Sequence, residues 1–336
     1  VNPVAACPVG IVLPLDRDQD AKGAVAVAVA AERAGLHSVC CGELASYDSM
    51  ALLGAVAQAT DRIALDSTVV SVLSRSSALI AMAASTLADL SGGRYRLGLG
   101  VGSTTIGAWH DRPLRQPLAA MRTALLEVRA ALDGFPVDRL GSFKLLSPPR
   151  RVTIRVAALN PKMLSLAGEL ADGVILTFAG PEQVGEMSAT ARRSAEQASR
   201  PSPAIVATCW LSTGQDIDEG RRAVREAVAP YFGVATYGRL ARALAGDATV
   251  ARVVEALESR GRRAAAAVIP DDVVDAIAVV GGPSEVAARV AAYQAAGATE
   301  VHFIPLRRGS SGESVHEAVE VLGALEMSDA VAGGHP

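Results

Sequence analysis

The chain has 336 residues, 50% hydrophobic, 20% charged and only 4% aromatic, with a formal net charge of −3. That length can bury one large core or two small ones, built here from small and branched aliphatic side chains. The near-balanced charge excludes a global basic field that would draw the chain to nucleic acid or a membrane surface.

Cys7, Cys40, Cys41 and Cys209 show no CxxC or Cys/His metal spacing. They read as reduced thiols of a cytoplasmic protein, with no metal expected. The alanine-rich run Gly23–Ala31 is bounded by Lys22 and Glu32. It is too short for a bilayer, which takes about 20 apolar residues.

Short aliphatic runs alternate with helical patterns from the start. A strand is predicted at Val9–Leu13 and a helix over Asp20–Ala34, then a strand at Ser38–Gly42 and a helix over Met50–Ala59. The β-branched run Ile63–Val70 predicts a strand, followed by a helix over Ser76–Leu90, a strand at Arg94–Gly100 and a helix over Pro117–Leu132. Strands at Thr153–Ala157 and Gly173–Thr177 flank a short helix over Lys162–Leu170. A helix over Glu182–Ala198, a strand at Ala204–Leu211, a helix over Glu285–Ala296 and a strand at Val301–Pro305 complete the alternation.

This alternation calls for a parallel sheet, and about eight strands favour a closed (β/α)8 TIM barrel with insertions. Two stretches interrupt it. The Gly- and Pro-rich segment 133–151 reads as a loop excursion with a small hairpin, and 216–277 reads as a helical insertion. Residues 1–327 are expected to form a single barrel domain, with 328–336 as a disordered tail.

In such a barrel the site lies at the carboxyl ends of the strands. That rule selects Glu43, Thr68, Val69, Ser71, Ser103, Thr104, Thr105, His110, Thr177 and Phe178. Glu43 is a carboxylate behind an apolar run, suited to hydrogen-bonding a cofactor or acting as a base; a solvated loop acid is the competing reading. A loop histidine such as His110 is more often on the surface than catalytic.

Gly98, Gly100 and Gly102 recur at every second residue and so share one strand face. Stripping that face of side chains either opens room for a flat ligand or relieves crowding inside the barrel. The segment 155–176, RVAALNPKMLSLAGELADGVIL, reads as strand, turn, helix, strand. Asn160 can cap the helix, Pro161 fits its first position and Lys162 follows. The free N–H groups of such a turn suit a phosphate, although plain capping needs the same residues. No triad, nucleophile elbow or metal cluster assembles, which makes a bound cofactor the economical source of chemistry.

Several segments carry a family resemblance: ERAGLHSV (32–39), DRIALDSTVV (61–70), ALIAMAASTLADLSGGRYRLGLGVG (78–102), PKMLSLAGELADGVIL (161–176) and 269–303. Together they resemble the bacterial luciferase-like monooxygenase superfamily, most closely the deazaflavin branch that uses coenzyme F420 and includes methylenetetrahydromethanopterin reductase. The resemblance implies a (β/α)8 barrel and an oxidoreductase passing a hydride between F420 and a small organic substrate. It implies a non-proline cis peptide at Thr68–Val69 behind the cofactor ring, and cofactor contacts from Glu43, Gly98, Gly100, Leu159, Asn160 and Thr177, to which the chemistry of the turn adds Lys162. Glu43, Ser103 and His110 are the catalytic candidates.

Three departures stand out. Leu44 occupies a position where family members often carry histidine, Ser103 replaces a proton-donating glutamate, and Leu159 stands where glycine is common. Sugar-phosphate oxidation is therefore not expected. The alternatives are an FMN-dependent monooxygenase fed by a partner reductase, and a binding member without turnover. The expected partners are a small-molecule substrate and a second copy of the chain in a homodimer, with neither nucleic acid nor membrane.

Overall fold

The computed structural model of the chain describes residues 7–14, 20–214, 216–306 and 313–332. Its strands are β1 (Val9–Val12), β2 (Ser38–Cys41), β3 (Ala64–Ser67), β4 (Val70–Ser71), β5 (Tyr95–Gly100), β6 (Thr153–Ala157), β7 (Gly173–Leu176), β8 (Ala204–Ser212), β9 (Ala278–Val280) and β10 (Glu300–Pro305). All ladders between them are parallel. The order runs β10–β1–β2–β3–β5–β6–β7–β8, and a β8–β10 ladder from Val206↔Glu300 to Leu211↔Pro305 closes the ring. The chain is a closed eight-strand parallel barrel of the TIM type, as the alternation predicted.

Helices α1 (Ala21–Arg33), α2 (Ser49–Ala59), α3 (Ser77–Leu90), α4 (Thr104–Trp109), α5 (Pro117–Leu132), α6 (Pro161–Leu170) and α7 (Pro181–Gln197) follow the first strands. Local chemistry sets their starts. Asp20, Asp48, Ser76 and Ser103 each accept a hydrogen bond from a first-turn N–H, and Pro opens α5, α6 and α7. After β8 come α8 (Ile217–Phe232), α9 (Gly238–Arg260), α10 (Arg262–Ala266) and α11 (Asp271–Ile277). The segment 216–277 is mostly helical, with a kink at Gly246, a 3-10 turn at Ala235–Tyr237 and breaks at Gly233–Val234, Gly261 and 267–270. Helices α12 (Pro283–Ala295) and α13 (Glu313–Ala332) complete the ring.

Three local expectations need correction, and one strand was not expected. The single strand expected over Ile63–Val70 is broken by a cis Thr68–Val69 peptide into β3 and β4. Thr104–Trp109 is a helix, capped by Ser103, where a loop was read. The three-residue β9 adds to the open end of β8 at Trp210–Ser212, beyond the barrel proper. The helix α13 passes the tail boundary expected at Met327, and residues 333–336 lie outside the described residues. The segment 133–151 holds a 3-10 turn at Asp138–Leu140 and a single antiparallel bridge, Val137↔Phe143. No helix among the described residues is long and apolar enough to cross a membrane.

Candidate active site at the carboxyl ends of the strands

The barrel interior has two unlike ends. Near the amino ends of the strands, alternate positions carry Ser38, Asp66, Arg96, Arg155, Glu300 and His302, all buried except the partly buried Arg96. Glu300 accepts from Arg155 at 2.7 Å, from Arg96 at 2.8 Å and from Ser38 at 3.0 Å, and lies 2.7 Å from His302 Nε2. Asp66 pairs with Arg96 and lies 3.4 Å from Arg155. Burial alone would raise the Glu300 pKa; His302 and the guanidiniums of Arg155 and Arg96 overcome it and hold the carboxyl far below its usual value.

Cys40, Asp66 and His302 bring donor atoms within 4.8 Å of one another. Arg96 and Arg155 already neutralise Asp66, so a divalent cation there would sit beside two guanidiniums. The charges on this floor balance without a metal.

At the carboxyl ends the burial pattern reverses. Val12, Gly42, Glu43, Thr68, Val69, Val101, Ala157, Thr177 and Ile304 are only partly buried. An ionic layer thus fills the barrel at one end, and partly buried side chains border the mouth at the other. The Thr68–Val69 bulge forms part of the open mouth.

The bulge explains the alternate glycines. A Cβ at Gly98 would lie 2.1 Å from the Ser67 carbonyl oxygen, and one at Gly100 would lie 2.5 Å from Val69 Cγ2. Gly98 makes room for the Ser67 backbone and Gly100 for the Val69 side chain, which favours the reading that they relieve crowding inside the barrel. Any room for a ligand lies beyond the bulge.

Glu43 is not a free carboxylate. Oε1 accepts from Arg75 Nε at 3.0 Å and from the Arg75 terminal nitrogen at 2.5 Å, and Oε2 accepts from Ser74 Oγ at 3.0 Å. The same guanidinium bonds Asp48, which caps α2. Glu43 is therefore a fixed electrostatic group rather than a base awaiting a proton. Ser103 accepts from the Ile106 N–H as a helix cap, and His110 is exposed at the far end of α4. Of the catalytic candidates, only Glu43 and Ser103 border the mouth.

The turn after β6 also differs from its reading. The Asn160 side chain does not cap α6; its Nδ2 donates to the Thr236 carbonyl at 3.5 Å. Leu159 is buried, and its carbonyl accepts from Arg239 at 2.8 Å. Lys162 is exposed and makes no ion pair among the described residues, and Thr177 is partly exposed after β7. The insertion thus reaches over the turn from α9 and from the segment just before it.

Sequence reading missed Arg75, Arg239, the tyrosines of the insertion and the ionic floor. The floor had a signal: Asp66, Arg96, Arg155, Glu300 and His302 interrupt strands that are otherwise apolar. Charges of both signs at such positions must pair. Arg75 and Arg239 lack such a signal because their partners lie on other elements.

The sequence profile described as luciferase-like monooxygenase matches residues 7–300, and the chain belongs to this family of oxidoreductases. It is 31% identical over 242 residues to 5,10-methylenetetrahydromethanopterin reductase of Archaeoglobus fulgidus, covering 67% of this chain and 72% of that protein. The crystal fold of the coenzyme F420 dependent tetrahydromethanopterin reductase from Methanopyrus kandleri superposes with a TM-score of 0.80 at 20% identity, covering 95% of this chain and 97% of that one. The oxygenating constituent of 3,6-diketocamphane monooxygenase of Pseudomonas putida, solved with FMN, gives a TM-score of 0.68 at 17% identity, covering 95% and 96%. The fold is thus shared by an F420-named and an FMN-bound protein.

Proposed function

We propose that the chain binds coenzyme F420 across the open mouth and passes a hydride between it and a small organic substrate. The observation that carries this reading is Thr68 Oγ1, a buried hydroxyl at the bulge with no hydrogen-bond partner. Leaving such a group unpaired costs about 1–3 kcal/mol, which a bound acceptor removes. The residues around it fit a flat cofactor with an anionic tail. Thr68, Val69 and the Arg75-held Glu43 would border the ring, while Leu159, Asn160, Lys162 and Thr177 would take the phosphate end.

When bound, the reduced deazaflavin supplies the hydride. The chain's own residues do the rest. The bulge supports one ring face, Glu43 offers a fixed negative end, and Lys162 contributes an unpaired positive charge at the phosphate end.

Fluorescence titration of purified protein with F420 and with FMN tests the proposal. Saturable F420 binding supports it; tight FMN binding with no F420 binding replaces it with oxygen-dependent chemistry fed by a partner reductase. The shared fold of the FMN-bound Pseudomonas protein keeps that second reading in view.

We also propose a homodimer through α2 and α3. Their outer faces expose Ala51, Ala55, Leu79 (43%) and Met82 (47%) without an intervening charge. Light scattering of Leu79→Glu/Met82→Glu beside the parent tests it: a monomeric parent overturns the dimer.

A further inference from the structure

The chain has only two tryptophans, five tyrosines and five phenylalanines. Phe178, Trp210, Tyr231, Phe232 and Tyr237 nevertheless gather at one place. Phe178 stacks on Tyr231 at 5.7 Å and 13°, Tyr231 meets Tyr237 edge-on at 4.8 Å, and Trp210 meets Tyr231 edge-on at 5.6 Å. Phe178 follows Thr177 and turns off the strand with a left-handed backbone (φ 57°). Cys209 points outward, donating to the Ile277 carbonyl, so Trp210 and Thr208 face the barrel interior. Next to Tyr237, Thr236 takes the Asn160 hydrogen bond. The cluster is therefore the wall of the mouth on the β6–β8 side, across from the Thr68–Val69 bulge.

A wall built only for packing would hold no spare donors. Here the hydroxyls of Tyr231 and Tyr237 bond no atom of the described residues, and both rings are partly exposed, whereas Phe178, Trp210 and Phe232 are buried. Thr208 Oγ1, on the same face of β8 as Trp210, is buried without a partner and its residue is 5% exposed. Neither tyrosine hydroxyl is among the buried unpaired atoms, so both are open to solvent and free to donate to a ligand. The nearby guanidiniums of Arg239 and Arg262 are tied to the backbone carbonyls of Leu159 and Glu226. What the wall presents is the partly exposed rings of Tyr231 and Tyr237 and their neutral donors, backed by the buried Phe178, Trp210 and Phe232.

We propose that this aromatic wall is the substrate subsite, and that it takes an uncharged, planar ring compound whose carbonyl-type acceptor is held by the Tyr231 and Tyr237 hydroxyls. The exposed parts of the Tyr231 and Tyr237 rings contact the body of the ligand, and their phenols fix the acceptor atom. Burial raises the pKa of both phenols, so they remain neutral donors across the physiological range. The proposal rests on reading the mouth as the active site; it does not depend on which cofactor fills it.

Calorimetric titration without cofactor tests it, using 1-indanone and its acceptor-free counterpart indane as probes. The parent should bind 1-indanone more tightly than indane. Tyr231→Phe and Tyr237→Phe, which keep the rings, should each weaken 1-indanone about fivefold, the loss of one hydrogen bond. Indane binding should stay unchanged in both variants. Equal affinity for the two probes in the parent, or 1-indanone affinity unchanged in both variants, overturns the proposal. A failure of F420 to bind in its own titration leaves this result standing, so the two readings fail separately.

Discussion

The two ends of the barrel solve opposite problems with residues from the same strands. At the floor, Asp66 and Glu300 are matched by Arg96 and Arg155, and nearly every polar atom has a partner. Arg155 Nε is the exception. At the mouth, Thr68 and Thr208 keep buried hydroxyls without partners, and Lys162 stands unpaired. Buried charge is tolerated only when compensated, so a satisfied ionic layer reads as structure. Unsatisfied groups beside a partly exposed cleft read as places where a ligand completes the set.

The sharpest break of that comparison is at the floor. Arg155→Met strips Glu300 of its 2.7 Å partner and should cost about 3–5 kcal/mol in urea unfolding, the usual penalty for an uncompensated buried charge. The same network sets the acid limit. The Glu300 pKa is lowered in the folded state, so its stabilisation is complete above its ordinary value of 4.5 and is lost as pH falls below it. Unfolding midpoints should hold from pH 7 to about pH 5 and fall below pH 4.5, and Glu300→Gln should flatten that fall. A pH-independent parent would show that the floor is not held by charge.

A smaller effect is expected where floor and mouth meet. Gly98→Ala places a Cβ against the Ser67 carbonyl, which overpacking makes worth about 1–3 kcal/mol. It should weaken F420 more than tenfold by shifting the bulge; unchanged affinity would separate the bulge from the cofactor. Arg75→Ala releases Glu43 and should weaken F420 about tenfold, with partial recovery in Arg75→Lys, because the bidentate geometry belongs to arginine.

At the mouth alone, Lys162→Ala should change stability by no more than about 0.5 kcal/mol, since the residue is exposed. Its F420 affinity should fall about fivefold, with the difference shrinking at high salt as screening grows. A Lys162→Ala protein with parental affinity would return the turn to a plain helix start. Least of all, His110→Ala should leave binding and turnover within about twofold.

Much of the fold was legible because strand and helix periods differ and the caps are local. Asp20, Asp48 and Ser76 start helices in the structure near the starts that the sequence marks. The site was legible only as positions. Thr68 and Val69 could be placed at a strand end, but the alternate glycines left ligand room and crowding undecided until their neighbours, Ser67 and Val69, were in view. Asn160 looked like a cap and instead reaches the insertion.

By itself the sequence determined the alternating βα order, the helix starts and the family, because each depends on residues close together in the chain. Tertiary structure alone decided which charges pair across the barrel, that Arg75 occupies Glu43, and that Phe178, Trp210 and the insertion's tyrosines share one wall. Those contacts join residues far apart in sequence. Local periodicity carries no record of them; barrel closure and the return of the insertion over β6–β8 create them.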